Sequence, residues 1–219
     1  NSYSKKSDEK LNVIWISCEE MGPVLSSYGV KEISTPNIDK LAEEGIKYTN
    51  AYSTVGVCAP SRFSIITGMY PARLGAHNMR TGNFYTYKDP DKLTYKQNKG
   101  VIDKSGINVP EYEVVTPTNI KAFTEYLRNE NYYCINNNKC DYQFNSPFTA
   151  WDEVSGNISY KDRPKNTPFF YVKNLMVTHE SRIWLRKNEP ITVNKDILKI
   201  PAYYPCLLYT SDAADEEDS

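Results

Sequence analysis

The apolar positions of this chain gather into short runs that polar segments separate. Four of these runs, at residues 11–17, 46–52, 132–135 and 168–175, are rich in β-branched and aromatic side chains and are predicted to be strands. The first and the last are almost continuously apolar, which is the pattern of strands buried on both faces. We therefore expect residues 11–17 to form a central strand of a sheet.

Helices are predicted between these runs. One covers residues 35–45, with a threonine N-cap, a proline in its first turn and a terminal glycine. A second covers residues 60–67, and a third opens at Thr116-Pro117. Alternating strands and helices predict an α/β fold whose mostly parallel sheet is flanked by helices.

Composition gives no sign of a nucleic-acid or membrane partner. The 26 basic and 27 acidic residues leave a net charge of −1, so no basic field is present to attract nucleic acid or an anionic surface. No apolar run approaches the ~18 residues that a helix needs to cross a bilayer, so no transmembrane segment is predicted. The five cysteines are odd in number and lack metal-ligand spacing, so no disulfide framework is indicated.

The most informative chemistry lies in the segment Cys58-Ala59-Pro60-Ser61-Arg62. Pro60 belongs to the first turn of the predicted helix and so places Cys58 at its N-terminus, where free N–H groups and the helix dipole attract an anion. Arg62, one turn further on, adds a planar guanidinium suited to sulfate or phosphate oxygens. The segment therefore predicts an anion-binding site beside a cysteine.

This C-x-P-S-R segment, with Thr67-Gly68 five residues beyond the arginine, resembles the signature of the type I sulfatases. Other segments, such as Thr178-His179-Glu180-Ser181, resemble bacterial heparan N-sulfatase-like carbohydrate sulfatases. The resemblance implies an alkaline-phosphatase-like (sulfatase) fold. It also implies that a formylglycine-generating maturation enzyme converts Cys58 to formylglycine. In the family, one hydroxyl of the hydrated formylglycine attacks the sulfur of the substrate with help from a divalent cation.

Two carboxylates directly follow the first predicted strand. Ligands of open α/β sheets bind beyond the carboxyl ends of strands, and Glu19 and Glu20 lie at such a position. Paired carboxylates suit a hard cation such as Ca²⁺, with Mg²⁺ as the alternative. The resemblance puts an Asp-Asp metal pair here, together with Cys58 as formylglycine, and this chain departs from it with two glutamates.

Five further candidates surround these groups in the resemblance. Lys139 matches a lysine that touches the nucleophile and the sulfate, and Asp141 stands where sulfatases usually carry a histidine. His179 matches a histidine that protonates the leaving group or holds the sulfate, and imidazole suits proton transfer near neutral pH. His77 and Arg80 are candidates for binding the sugar or its acid group, and Asp141 is a substrate-binding candidate with them.

Together these residues predict hydrolysis of a sulfuric ester or sulfamate in a sulfated carbohydrate, with Cys58, Arg62, Lys139 and His179 as the catalytic groups. Two alternatives remain. One is a phosphoester or phosphonate hydrolase of the same superfamily, and the other is a non-catalytic protein that binds sulfated glycans. Glu19-Glu20 and Asp141 favour the second alternative. The resemblance also implies a periplasmic, secreted or lipid-anchored bacterial protein.

The chain is divided by composition into three parts. Residues 1–10 form a polar tether, residues 11–205 match the N-terminal portion of a sulfatase catalytic domain, and residues 206–219 resemble a translated sequencing adapter rather than native sequence. The remaining metal ligands of the family have no counterpart before Pro205. We therefore expect a fold truncated before its C-terminal part, an inactive fragment and a longer native protein.

Overall fold

The computed structural model describes residues 10–80, 101–102, 104–109, 112, 114–144 and 147–182. The predicted tail at 206–219 and most of the predicted tether lie outside these residues. The chain divides into two compact units, Asn1–Met21 with Asn50–Trp184, and Gly22–Thr49 with Leu185–Ser219. Among the described residues, no helix has the length and apolar character that a bilayer crossing requires.

The first unit contains a four-stranded sheet whose strand order is β1-β6-β4-β5, with every neighbouring pair parallel. The described residues form the strands β1 (Val13–Cys18), β2 (Val101–Ile102), β3 (Asn108–Val109), β4 (Tyr133–Asn137), β5 (Glu153–Ser155) and β6 (Phe169–Leu175), and the α-helices α1 (Pro36–Glu44), α2 (Cys58–Thr67) and α3 (Phe123–Asn129). Strands β2 and β3 form a separate antiparallel pair. The parallel sheet and its helices confirm the predicted α/β class.

Because the strands are parallel, three loops lie together at the carboxyl end of the sheet. Strand β1 aligns with β6 from Val13 opposite Phe170 to Cys18 opposite Leu175, and β4 aligns with the other side of β6. The chain leaves each of these strands at the same edge, so the segments that follow β1, β4 and β6 meet there.

Strand β6 is buried on both faces, as its apolar run predicts. Phe170 and Val172 pack in one cluster with Phe63 and Ile66 of α2. Phe169 and Tyr171 point to the other face and pack with Ile135 of β4. This alternation fixes the register of the strand, because a slip of one residue would exchange the two faces.

The prediction of a central, buried first strand is wrong. Within the described residues, β1 pairs only with β6 and forms an edge of the sheet. Ile14 is 51% exposed and Ile16 is 61% exposed, although both are apolar. The apolar sequence therefore predicts a strand correctly. Burial of that strand would also need a second neighbouring strand and a layer packed over Ile14 and Ile16, and the described residues supply neither.

Residues 46–52 form no strand, and the side chains of Ile46, Tyr48 and Tyr52 are exposed. Alternating apolar side chains stabilise a strand only where a neighbouring strand pairs with its backbone, and none does so here among the described residues. The third predicted helix forms, but its predicted start at Thr116-Pro117 is wrong, because α3 begins at Phe123. Glu125 accepts the backbone N–H of Ala122 at 2.8 Å and so sets the start of that helix.

The other two predicted helices form close to their expected bounds. In the second unit, α1 follows Thr35 and ends at Gly45, but the Thr35 hydroxyl bonds the side chain of Asp39 rather than capping a backbone N–H. In the first unit, α2 begins at Cys58, two residues before Pro60. The early start is tolerated because N–H groups of the first turn have no acceptor within the helix, so proline loses nothing there.

Candidate active site

Helix α2 carries two of the predicted catalytic residues on one face. Cys58 is its first residue and a half-buried free thiol, and Arg62 lies four residues later, where helical geometry brings side chains to the same side. The helix ends at Gly68, whose φ of 69° is the left-handed conformation that glycine adopts without strain. Cys58 therefore stands at the helix N-terminus, one turn before Arg62.

Arg62 and Lys139 meet at a single carboxylate. The Nη2 atom of Arg62 donates to Oε1 of Glu19, and Nζ of Lys139 donates to Oε2 of Glu19 at 2.6 Å. Glu19 is only 3% exposed, and both cationic side chains are nearly buried. We call these three residues the Glu19 cluster. It joins the end of β1, the helix α2 and the loop after β4.

The charges of the cluster hold Glu19 ionised. Burial alone would raise the pKa of this carboxyl, but the hydrogen bond from Lys139 and the charge of Arg62 outweigh burial and leave its pKa below the ordinary value. The carboxylate thus gives each buried cation a partner, which is the condition under which buried charges are tolerated.

Glu20 and His179 lie beside the cluster, and their potential ligand atoms group with those of Glu19. One ligand atom each from Glu19, Glu20 and His179 lies within 4.8 Å of the others. The backbone N–H of Glu180 donates to Oε2 of Glu20 at 2.6 Å, and Nε2 of His179 is 3.9 Å from Oε1 of Glu20. Carboxylate oxygens suit a hard divalent cation, so the two glutamates fit the ion that the sequence predicts.

The backbone at Glu19 and Glu20 is constrained as well. Glu20 has a φ of 51°, in the left-handed region that non-glycine residues rarely occupy. The hydroxyl of Thr178 donates to the carbonyl oxygen of Glu19, and Nδ1 of His179 lies 2.9 Å from Oγ of Ser181. These contacts turn the Nε2 side of the imidazole toward Glu20.

The remaining substrate candidates separate into a pair and an isolated residue. Arg80 forms an ion pair with Asp141, so two of them lie together. Gln143 holds the segments that carry them: its side chain accepts from the backbone N–H of Arg80 at 3.2 Å and donates to the carbonyl of Asn78 at 2.6 Å. His77 is exposed, and no hydrogen bond or ion pair among the described residues joins it to the Glu19 cluster.

Sequence reasoning missed one residue of the site. Asn174 lies in β6, is 1% exposed and accepts a hydrogen bond from Nη1 of Arg62 at 2.9 Å. Its signal in the sequence is a lone amide within an apolar strand, since a buried polar side chain requires hydrogen-bond partners.

A protein-family model described as Sulfatase matches residues 11–213 of the chain. The chain belongs to the sulfatase family. The predicted resemblance is therefore confirmed at the level of the family, whereas the roles of the individual site residues and the proposed domain bounds stay predictions.

Curated sulfatases match the chain over different lengths. An ulvan-active sulfatase of Formosa agariphila is 42% identical over 179 residues, which cover 82% of this chain and 27% of that protein. An N-acetylgalactosamine-6-O-sulfatase of Bacteroides thetaiotaomicron is 43% identical over 79 residues, covering 36% of this chain and 16% of that protein. Human iduronate 2-sulfatase is 38% identical over 91 residues, covering 39% and 16%. The chain thus spans about a quarter of the first of these relatives.

Solved structures confirm the predicted alkaline-phosphatase-like fold of the sulfatases. A 2-O GAG sulfatase matches with a TM-score of 0.52 and 17% identity over 84% of this chain and 40% of that one. A protein solved in complex with its substrate D-glucosamine-2-N,6-O-disulfate matches with a TM-score of 0.52 and 18% identity over 78% and 35% of the two chains. The parallel sheet accordingly has the fold of a sulfatase sheet, and the loops after β1, β4 and β6 lie at its carboxyl end, where open α/β sheets bind their ligands.

Proposed function

We propose that this sulfatase segment carries the anion-binding half of an active site that removes sulfate from a sulfated carbohydrate. The observation that carries the proposal is the convergence of Arg62 and Lys139 on Glu19, with Cys58 one helical turn from Arg62. Two buried cations beside a helix N-terminus suit the oxygens of a sulfate group. The printed names of the curated relatives, an ulvan-active, an N-acetylgalactosamine-6-O- and an iduronate 2-sulfatase, support a carbohydrate as the substrate class.

Each residue has a defined part in this proposal. Arg62 and Lys139 donate to sulfate oxygens and stabilise the negative charge that develops on them. Cys58 is the position of formylglycine, and its half-exposed free thiol at the start of α2 fits a residue that a maturation enzyme must reach. Hydrated formylglycine would carry two hydroxyls on one carbon. One hydroxyl attacks sulfur with departure of the carbohydrate oxygen, and the other loses its proton as the carbon reverts to the aldehyde and expels sulfate, a route that a serine sulfate ester lacks.

His179 and the two glutamates complete the arrangement. Because Nδ1 of His179 lies against Ser181, Nε2 is the atom that exchanges a proton with the leaving oxygen. Glu19 and Glu20 would hold a divalent cation, Ca²⁺ or Mg²⁺, which when bound offsets the charge of the sulfate and lowers the pKa of a coordinated hydroxyl.

Conversion of Cys58 is the property to test first. The chain is co-expressed with a formylglycine-generating enzyme, and peptides across Cys58 and Cys18 are compared by mass spectrometry. We expect the Cys58 peptide to lose its thiol and gain an aldehyde, because the whole C-x-P-S-R segment is present. The Cys18 peptide of the same digest serves as the internal control and should keep its thiol, and C58A should yield no aldehyde.

The opposite result would overturn the catalytic proposal. If Cys58 stays a thiol while the maturation enzyme converts a control peptide in the same cells, the segment is not read as a sulfatase nucleophile. Retained binding of a sulfated glycan by such unconverted protein would then support the non-catalytic alternative.

A further inference from the structure

Asn174 uses its whole hydrogen-bonding capacity inside the protein. Its Oδ1 atom accepts from Oγ of Ser17 at 2.6 Å and from Nη1 of Arg62 at 2.9 Å. Its Nδ2 atom donates to the carbonyl oxygens of Asn137 at 3.2 Å and Lys139 at 3.1 Å. A side-chain amide has an oxygen with two lone pairs and a nitrogen with two N–H donors, so all four hydrogen-bonding positions of Asn174 are occupied.

These four bonds connect the elements on which the Glu19 cluster is built. Ser17 belongs to β1, Arg62 to α2, and the two carbonyls to the end of β4 and its loop. Among the described residues, Asn174 is the residue whose side chain bonds both the guanidinium of Arg62 and the backbone of Lys139. It thereby relates the positions of the two cations to each other.

Two contacts bind the terminal nitrogens of the Arg62 guanidinium. Glu19 accepts from Nη2 and Asn174 accepts from Nη1, so separate residues at the ends of β1 and β6 hold the two terminal nitrogens. A planar guanidinium bound at both nitrogens cannot rotate without losing one bond. Removing the Asn174 acceptor would leave the charge of Arg62 in place but allow the plane of its guanidinium to rotate.

We propose that Asn174 is a positioning residue that fixes the Arg62 guanidinium and the Lys139 loop in the geometry that binds the sulfate group. The inference rests on the proposed function, because it assigns the two cations to the substrate anion. Asn174 itself acts through Arg62 and Lys139. Neither aspartate nor leucine reproduces its hydrogen bonds, since aspartate lacks the amide donors and leucine lacks both the donors and the acceptor.

A matched control exists two residues before the loop. Asn136 is also a fully buried asparagine, and its Nδ2 atom donates to the carbonyls of Asn138 at 2.8 Å and Lys139 at 3.3 Å. Its Oδ1 atom accepts from Tyr142 rather than from Arg62. N136A therefore removes a comparable buried amide of β4 that also bonds the Lys139 carbonyl, but it removes no direct bond to the guanidinium, so the comparison isolates the contact of Asn174 with Arg62.

The test is calorimetric titration of inorganic sulfate into the 219-residue chain and its N174A, N136A and R62A variants. We expect N174A to weaken sulfate binding about tenfold, the effect of losing one hydrogen bond to a charged group, and N136A to weaken it less than about twofold. Combining N174A with R62A should weaken binding little beyond R62A alone, because Asn174 acts through Arg62. Thermal unfolding of each variant separates this effect from a loss of stability.

The outcomes distinguish the two proposals. If R62A binds sulfate as well as the parent chain, the proposed anion site is wrong. If R62A weakens binding but N174A matches N136A, the site stands and the positioning role of Asn174 is wrong. Should N174A fail to fold, N174D serves instead: it keeps the acceptor for Arg62 but loses both amide donors and adds a charge that competes with sulfate. Unchanged sulfate affinity in N174D would overturn the inference.

Discussion

At the scale of single residues, Glu19 is the group on which the site depends most. Its carboxylate balances Arg62 and Lys139 in a buried position, so E19Q leaves two buried cations without a countercharge. We expect E19Q to lower the free energy of unfolding at neutral pH by about 3–5 kcal/mol in urea titrations. The exposed i,i+4 pair of Lys40 and Glu44 is the control, and E44Q should change that free energy by less than about 0.5 kcal/mol.

The carboxyl of Glu19 also determines the direction in which the free energy of unfolding changes with pH. Its folded-state pKa lies below the ordinary value of 4.5, so the stabilisation is complete above that value and is lost as the pH falls through the lowered pKa. The difference in unfolding free energy between the parent chain and E19Q should therefore shrink as the pH is lowered. A difference that stays constant between neutral and strongly acidic pH would contradict the ion pairing of Glu19.

The individual site residues show where sequence reasoning succeeds. Cys58 and Arg62 lie in one short motif, so their shared helix face could be predicted from spacing alone. The contacts of Glu19 with Arg62 and Lys139 join residues 43 and 120 positions apart, and no local pattern encodes such pairings. The sequence suggested Glu19 as a metal ligand, and its role as the partner of both cations emerges only when parallel strands bring three loops to one edge.

At the scale of elements, the end of α2 is as important as its start. Gly68 has a φ of 69° and closes the helix by donating its N–H to the carbonyl of Ser64 at 2.8 Å. A Cβ atom there would meet nothing within 4 Å, so the cost of G68A is backbone strain alone. We expect a loss of about 1–2 kcal/mol in the free energy of unfolding, measured by urea titration.

Gly56 is the matched control for this change. A methyl group added there would also lie in open space, but Gly56 has no positive φ, so G56A should leave the free energy of unfolding within about 0.5 kcal/mol of the parent chain. Equal effects of G56A and G68A would show that the left-handed cap does not stabilise α2.

The elements also show why apolar pattern is an incomplete guide. Strand β6 was predicted correctly because neighbouring strands and α2 bury both of its faces. Residues 46–52 also carry β-branched and aromatic side chains but have no pairing strand among the described residues. The pattern thus records which side chains suit a strand, whereas strand formation depends on a partner that is distant in sequence.

At the scale of the whole molecule, the sheet presents an apolar edge at β1. Ile14 and Ile16 lie on one face of this strand, whereas Trp15 points to the other and packs its ring against Phe123 and Phe170 with centroids 6.1 Å apart. Exposed apolar side chains on an edge strand promote association between molecules and contribute little to folding.

Replacing Ile16 by threonine tests whether the two faces of β1 differ in their contribution to stability, because threonine keeps the β-branch and removes apolar surface. We expect I16T to reduce light scattering on heating and to change the free energy of unfolding by less than about 0.5 kcal/mol. W15A on the opposite face should instead destabilise the chain by about 1–2 kcal/mol, since Trp15 is 38% exposed but packs against two aromatic rings. If I16T destabilises the protein as much as W15A does, the outer face of β1 is covered rather than exposed.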